Sequence, residues 1–370
     1  MESDHCMIFE KALWLTVKQG LDRLRGRVPI FLIGGVGKWA AAQDAYYMAR
    51  YFPQESKFSF YRWPSEFPPP FCIGIVHFYS RYSLLTSRWP KPLRFYHAAV
   101  ITWFHGDPGD KNSKFGILGE KLARYLPYLK YVVTSCTLTA EKLLRWGVPQ
   151  SKLKVVPLGV DINLFRPPSL EEKTFARRKF GIPDEAICIA SFQKDGVGWG
   201  EGLEPKLEKG PDVFLKVMRI LSREYPLFVL LTGPARGYVK RGLEKLNVPY
   251  HHSFVKQHSE LLSYYHAADI YLITSREEGG PLALLESLAS GLPVVSTKVG
   301  MAPDVICHGE NGFLANIEDA EALASLVAEL AEHPELQEKF VQEGYKTAIN
   351  YSWDKIVKRL INDVYSKCLT

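Results

Sequence analysis

Glu278 and Glu286, eight residues apart, are the pair of side chains in this sequence best placed to do chemistry together. They lie in Ser275–Val295 (SREEGGPLALLESLASGLPVV), directly after an apolar run, Ile270–Thr274, that reads as a strand. The glycines let the backbone turn tightly, and Pro281 suits the first turn of a helix. Backbone N–H groups around Gly280 and Leu282 would then open that helix and favour an anion. Glu278 precedes the turn and Glu286 follows within the helix, so both carboxylates can face one cleft. Acidic pairs at this spacing also occur as plain surface residues. What separates this pair is the glycine turn between strand and helix.

Cations stand in a second constellation. Ser191-Phe192-Gln193-Lys194 is followed, after a glycine-rich stretch Asp195–Leu207, by Glu208-Lys209-Gly210-Pro211-Asp212. Lys194 and Lys209 are compact point charges without the planar fork of arginine. His105 ends an apolar run (VITWFHGDPG), where a histidine in a doubly wound domain would face the ligand crevice, with Asp107 a weaker candidate. Gly34-Gly35-Val36-Gly37 follows another apolar run, Val28–Ile33. It fits a dinucleotide fingerprint poorly, and it fails as a P-loop because Trp39 follows Lys38 where a hydroxyl is needed. His251 and His252 would point to opposite sides of a strand, and with His258 and His266 they make no metal-site spacing.

The Glu278–Glu286 segment resembles the E-x7-E motif of family 4 retaining glycosyltransferases. The resemblance continues through Gly291–Thr297 (GLPVVST) and His308–Leu314 (HGENGFL), and includes Val155–Phe165 (VVPLGVDINLF). It implies a GT-B fold, in which two Rossmann-like domains with parallel sheets face a cleft, and transfer of a sugar from a nucleoside diphosphate donor, UDP- or GDP-linked, to an acceptor hydroxyl. By the same resemblance Glu278 meets the sugar, Glu286 the ribose hydroxyls, and Lys209 and Lys194 the phosphates. His105 would contact the transferred sugar, and the turn at Gly35 and Gly37 would approach the diphosphate. Lys194 stands where the family carries an arginine, and the 195–207 stretch is longer than usual. Neither a metal nor a separate cofactor is implied. A sugar-nucleotide epimerase and a non-catalytic homologue are the alternatives.

The elements needed to position these groups alternate. Strands at Val28–Ile33, Cys72–Phe78, Ala98–Phe104 and Tyr131–Thr134 are interleaved with helices, which predicts a parallel sheet covered on both faces. A second series begins at Ala186–Ser191, so the chain reads as two α/β domains, 1–165 and 166–350. A C-terminal helix within 351–370 is able to reach back to the first. Residues 58–71 (FSFYRWPSEFPPPF), rich in proline and aromatics, read as an irregular surface connection.

Charge is uneven. Residues 1–165 hold 22 Lys+Arg against 12 Asp+Glu, leaving 24 against 28 of the totals of 46 and 40 for the remainder. The first part is thus near +10 and the second near −4, summing to the formal +6. A basic first domain, opened by an amphipathic stretch at 7–24, suits an anionic acceptor or an anionic membrane surface. Without basic residues interleaved with aromatics in a recognisable motif, nucleic acid is not expected as a partner. Six scattered cysteines read as reduced thiols. The N-terminus lacks the pattern of a signal peptide. A cytoplasmic protein, peripheral at the inner membrane face, is the expectation.

Overall fold

The run Val28–Ile33 is apolar throughout because it lies inside a sheet. It is strand β1, parallel to β2 (Phe58–Trp63) on one side and β3 (Ile75–Phe78) on the other. Parallel strands covered by helices on both faces read as near-continuous apolar segments. With β4 (Ala98–Thr102), β5 (Tyr131–Thr134) and β6 (Leu153–Val155) they form a six-stranded sheet in the order β2-β1-β3-β4-β5-β6. The computed structural model describes residues 14, 17–18, 20–34, 40–63, 74–85, 97–110 and 113–370. It divides into two units, Met1–Gly159 with Trp353–Thr370, and Val160–Ser352.

In the first unit the chain leaves β1 for β2 and then returns to the far side of β1 as β3. That reversal creates a crevice beyond the carboxyl ends of β1 and β3, the place where open α/β sheets hold ligands. Helices start and stop by local chemistry. Ser113 Oγ accepts from the Phe115 amide at 3.2 Å to cap Lys114–Tyr125, and Gly147, left-handed at φ 116°, ends Thr137–Trp146. The core gathers Phe31, Phe78, Ile101, Trp103, Leu122 and Val132. Trp353, Ile356, Val357 and Leu360 bury one face of the Trp353–Leu360 helix in this unit, with Trp353 stacked on Tyr47 at 5.9 Å.

One expectation is corrected. The first half of 58–71 is not an irregular connection: Phe58–Trp63 pairs along its full length with β1. The aromatic-rich composition suggested a loop, but Phe58 and Tyr61 are buried side chains of a strand that, among the described residues, has a parallel neighbour on one side alone. Residues 64–71 lie outside the described residues.

The second unit repeats the plan with a different winding. Its strands are β7 (Ile187–Phe192), β8 (Leu227–Thr232), β9 (Tyr250–Ser253), β10 (Ile270–Ile273), β11 (Val294–Thr297) and β12 (Phe313–Ala315). They lie in the order β12-β11-β10-β7-β8-β9, every recorded pairing being parallel. The chain runs outward from β7 to β9, then crosses to the other side of β7 with β10. This is the dinucleotide-fold order, and its switch point lies between the carboxyl ends of β7 and β10. Val213, Phe214, Val217, Met218 and Leu221 face the core from the Pro211–Leu221 helix at three- and four-residue spacing.

Candidate active site

At the switch point of the second unit two of the sequence candidates, Lys209 and Glu278, meet. Thr274 to Glu278 continue from β10, and Gln193 and Lys194 continue from β7. Lys209 Nζ lies 2.5 Å from Glu278 Oε1, which also accepts from Ser275 Oγ at 3.0 Å. Both bonds fall on Oε1; among the described residues Oε2 takes none. The two side chains keep 22% and 11% of their exposure, so the pair borders the crevice rather than the core.

Backbone geometry makes this meeting happen. Gly210, at φ 63°, brings the turn carrying Lys209 against the end of β10, where a Cβ on residue 210 would stand 1.9 Å from the Thr274 carbonyl oxygen. Thr274 Oγ1 donates to the Gly210 carbonyl at 2.9 Å, and the amides of Arg276 and Glu277 donate to the Glu208 carbonyl. Arg276 closes the clamp: its guanidinium binds both Asp212 oxygens, at 2.8 and 2.7 Å, and also bonds Glu318 and the Leu207 carbonyl. A bidentate fork of this kind fixes orientation as well as charge. It holds the Asp212 carboxyl below the usual carboxylate range.

Glu286 lies deeper. Its helix, Leu282–Ala289, begins directly after Pro281, which is the N-cap residue rather than a residue of the first turn. Tyr265 OH donates to Glu286 Oε2 at 2.7 Å, and His258 Nε2 meets Oε1 at 2.8 Å. Burial, with the Glu286 charge beside it, pushes the Tyr265 phenol well above its ordinary pKa, so it stays a donor. Gly280 precedes Pro281, and Leu282 opens the helix, both partly exposed.

Lys194 stands apart from this group. Its ammonium lies 4.0 Å from the centroid of Trp199, an exposed ring on the glycine-rich 195–207 stretch. That stretch is pinned at its base: Gly196 and Pro205 form an antiparallel bridge, and Asp195 pairs with the fully buried Arg236 at 2.9 Å. Carbonyls of Glu201 and Gly202 receive the amides of Gly237 and Tyr238 at the start of the Gly237–Lys245 helix, at 2.6 and 2.9 Å. Arg236 also donates to the Ser191 and Thr232 carbonyls, so it braces β7 and β8.

In the first unit, His105 follows the carboxyl end of β4, half-buried and edge-on to Phe115 at 5.3 Å. Its turn is built firmly. The buried Arg81 donates to the His105 carbonyl, and Trp103 Nε1 donates to the Gly106 carbonyl at 2.9 Å. Asp107 Oδ1 accepts from the Gly109 amide at 2.7 Å, a local turn bond. Gly35 and Gly37 lie outside the described residues; Gly34, just before them, has φ 86°. His251 and His252 bond Ser253 and the Gly233 carbonyl separately.

Several residues carry the site without a sequence signal. His258 and Tyr265 reach Glu286 from the preceding helical segment, and Arg276 sits two places before Glu278, where it read as part of the turn. A dipeptide-scale pattern cannot announce a partner supplied across the sheet.

Residues 204–347 match the family described as Glycosyl transferases group 1. Among curated proteins, the D-inositol 3-phosphate glycosyltransferase of Corynebacterium urealyticum is 29% identical over 226 residues, 57% of this chain and 50% of the relative. The enzyme of that name from Thermobispora bispora is 27% identical over 310 residues, 77% of this chain and 67% of the relative. The match therefore spans half to two thirds of those relatives' lengths. Among solved structures, Anabaena HepE in complex with UDP-glucose superposes with a TM-score of 0.71 at 15% identity, over 92% of this chain and all of that one. A glycosyltransferase from Rickettsia africae gives 0.67 at 17% identity, over 93% of this chain and 99% of that one. The fold is that of GT-B glycosyltransferases, two Rossmann-like units in one chain.

Proposed function

We propose that this chain is a retaining glycosyltransferase that moves a sugar from a nucleoside diphosphate donor to an acceptor hydroxyl. The observation that carries this reading is the Lys209–Glu278 contact at the β7/β10 switch point, inside the stretch matched by the group 1 family. A cation and a carboxylate paired at the edge of the crevice suit a ligand with an anionic leaving group and a hydroxyl-rich head. The diphosphate draws Lys209, and Glu278 turns to the sugar hydroxyls. Glu286 receives the ribose. Lys194, once it leaves Trp199, and the start of the Leu282–Ala289 helix add positive potential where charge develops. The bond from the anomeric carbon to the phosphate oxygen breaks, the acceptor oxygen attacks from the same face, and its proton passes to the departing phosphate. For His105, on the turn after β4, the proposed role is a contact with the transferred sugar. This division of labour needs no divalent cation.

The names of similar proteins support a UDP-linked donor and a phosphorylated polyol acceptor, with GDP-linked donors the competing class. An anionic membrane surface is a further proposed contact, on the cytoplasmic side. Trp14, Val17, Leu21 and Leu24 fall within one arc of helical residues and are all exposed, with Lys18, Arg23 and Arg25 nearby. Among the described residues no helix is long and apolar enough to cross a membrane. Loss of flotation with anionic liposomes in Leu21→Glu/Leu24→Glu tests that contact; unchanged flotation rejects this helix as its source.

The reading is tested by titrating UDP-, GDP- and ADP-sugars into the wild type and Glu286→Ala, followed by product NMR with candidate acceptors. One donor binding the wild type at least about tenfold tighter, and a product with the donor's anomeric configuration, is expected. An inverted product rejects retention, donor epimerisation without acceptor favours the epimerase alternative, and binding of no nucleotide sugar rejects the reading.

A further inference from the structure

Glu286 presents an arrangement richer than a lone carboxylate needs. A carboxylate offers about four acceptor directions over its two oxygens. Here one direction on each oxygen is already taken: Tyr265 OH holds Oε2 at 2.7 Å and His258 Nε2 holds Oε1 at 2.8 Å. Because a carboxylate only accepts, the imidazole must carry its proton on Nε2 to make this bond. Among the described residues one acceptor direction per oxygen is left, a pair of sites side by side.

The two donors are themselves fixed. Phe165 lies edge-on to both rings, with centroids 5.2 Å from His258 and 5.6 Å from Tyr265, and Phe192 packs on Tyr265 at 5.0 Å. Tyr265 is 1% exposed and Phe165 fully buried, so neither ring can swing away without opening the cluster. The terminal torsion of a glutamate is otherwise soft, and an unheld carboxylate would have to be ordered on each binding event. His258, whose side chain keeps 21% of its exposure against 6% for Glu286, forms the rim of this site.

The geometry points to His258 and Tyr265 as positioning residues that hold the Glu286 carboxylate so that its two open acceptor directions receive the vicinal 2′- and 3′-hydroxyls of a ribose. The pair thereby sets the preference for ribonucleotide over 2′-deoxyribonucleotide donors. This rests on the reading of Glu286 as the ribose ligand. The paired acceptor directions address ribose hydroxyls, so the same preference is expected for uridine and guanosine diphosphates alike.

The experiment is calorimetric titration of the full chain with UDP and GDP and their 2′-deoxy counterparts, on the wild type, Tyr265→Phe, His258→Ala and His258→Gln. Losing one hydrogen bond to a charged group is expected to cut the ribo/deoxy ratio by about three- to tenfold. Affinity for the deoxy nucleotide should stay within about twofold. His258→Gln, which keeps an N–H donor, recovers part of the ratio. A merely structural role would weaken both nucleotides alike and leave the ratio unmoved, and that result overturns the inference, as does a wild type without 2′ discrimination. Tyr265→Phe changes one oxygen in a packed site and keeps the inference testable if His258→Ala fails to fold. Wild type binding neither diphosphate would instead defeat the donor reading itself, and this inference with it.

Discussion

Lys209 and Glu278 are 69 residues apart in sequence and 2.5 Å apart in space, joined across the carboxyl ends of β7 and β10. Three things hold them there: the left-handed Gly210, the Thr274 hydroxyl bond to the Gly210 carbonyl at 2.9 Å, and the Arg276 fork on Asp212. Each charge is the other's counter-ion. On the proposed reading, a diphosphate gives the lysine a second anion and leaves the carboxylate to sugar hydroxyls.

Lys209→Met removes the cation while keeping most of the side-chain length. Affinity for a nucleoside diphosphate should fall by about ten- to a hundredfold, as expected for a charge-assisted contact worth about 1.5–3 kcal/mol. Titration calorimetry at low and high salt checks it, and the wild-type advantage should shrink as salt rises. An unchanged affinity would remove Lys209 from the phosphate site.

Arg276→Lys keeps the charge but loses the two-point contact with Asp212. The turn carrying Lys209 should loosen, lowering donor affinity by about three- to tenfold with a drop of a few degrees in Tm. Comparing that variant with Asp212→Asn by double-mutant cycle separates the pair from its surroundings. Additive effects would show that the fork does not couple to the site.

Gly210→Ala sets a methyl group into the Thr274 carbonyl and asks an L-residue to hold φ 63°. Destabilisation of about 3 kcal/mol or more is expected, a size reserved for strain and overpacking. Urea unfolding measures it. A loss under about 1 kcal/mol would mean the turn shifts easily and does not fix Lys209.

His77 gives a pH prediction. It is buried between Thr102 Oγ1 and Tyr365 OH, each at 2.8 Å, and burial lowers its pKa to about 3. The unfolded chain therefore binds a proton near the ordinary histidine value of about 6.5 while the native state does not. Stability conferred by neutral His77 is present above that value and is lost as pH falls towards 3. Its share of the loss between pH 7 and pH 5 is about 2 kcal/mol. Unfolding free energies of the wild type and His77→Gln at both pH values test this; equal slopes would show that His77 titrates normally.

What the sequence determined by itself is local. Alternation of apolar runs with helical stretches gave two α/β series, and the order strand, glycines, Pro281, helix placed Glu278 before a turn and Glu286 after it. Those features depend on neighbours a few residues away, through backbone sterics and side-chain periodicity. Phe58–Trp63 escaped because an aromatic-rich strand, paired on one side among the described residues, leaves a pattern close to that of a packed loop. Tertiary structure alone decided which groups face each other. Strand order, set by the reversal at β7, brings β10 beside it and so brings Lys209 to Glu278. Helix packing delivers His258 and Tyr265 to Glu286, turns Asp195 inward to Arg236, and returns Trp353 to the first unit. Such contacts arise from burying whole faces against one another, and the partner's position along the chain leaves no mark on the residues nearby.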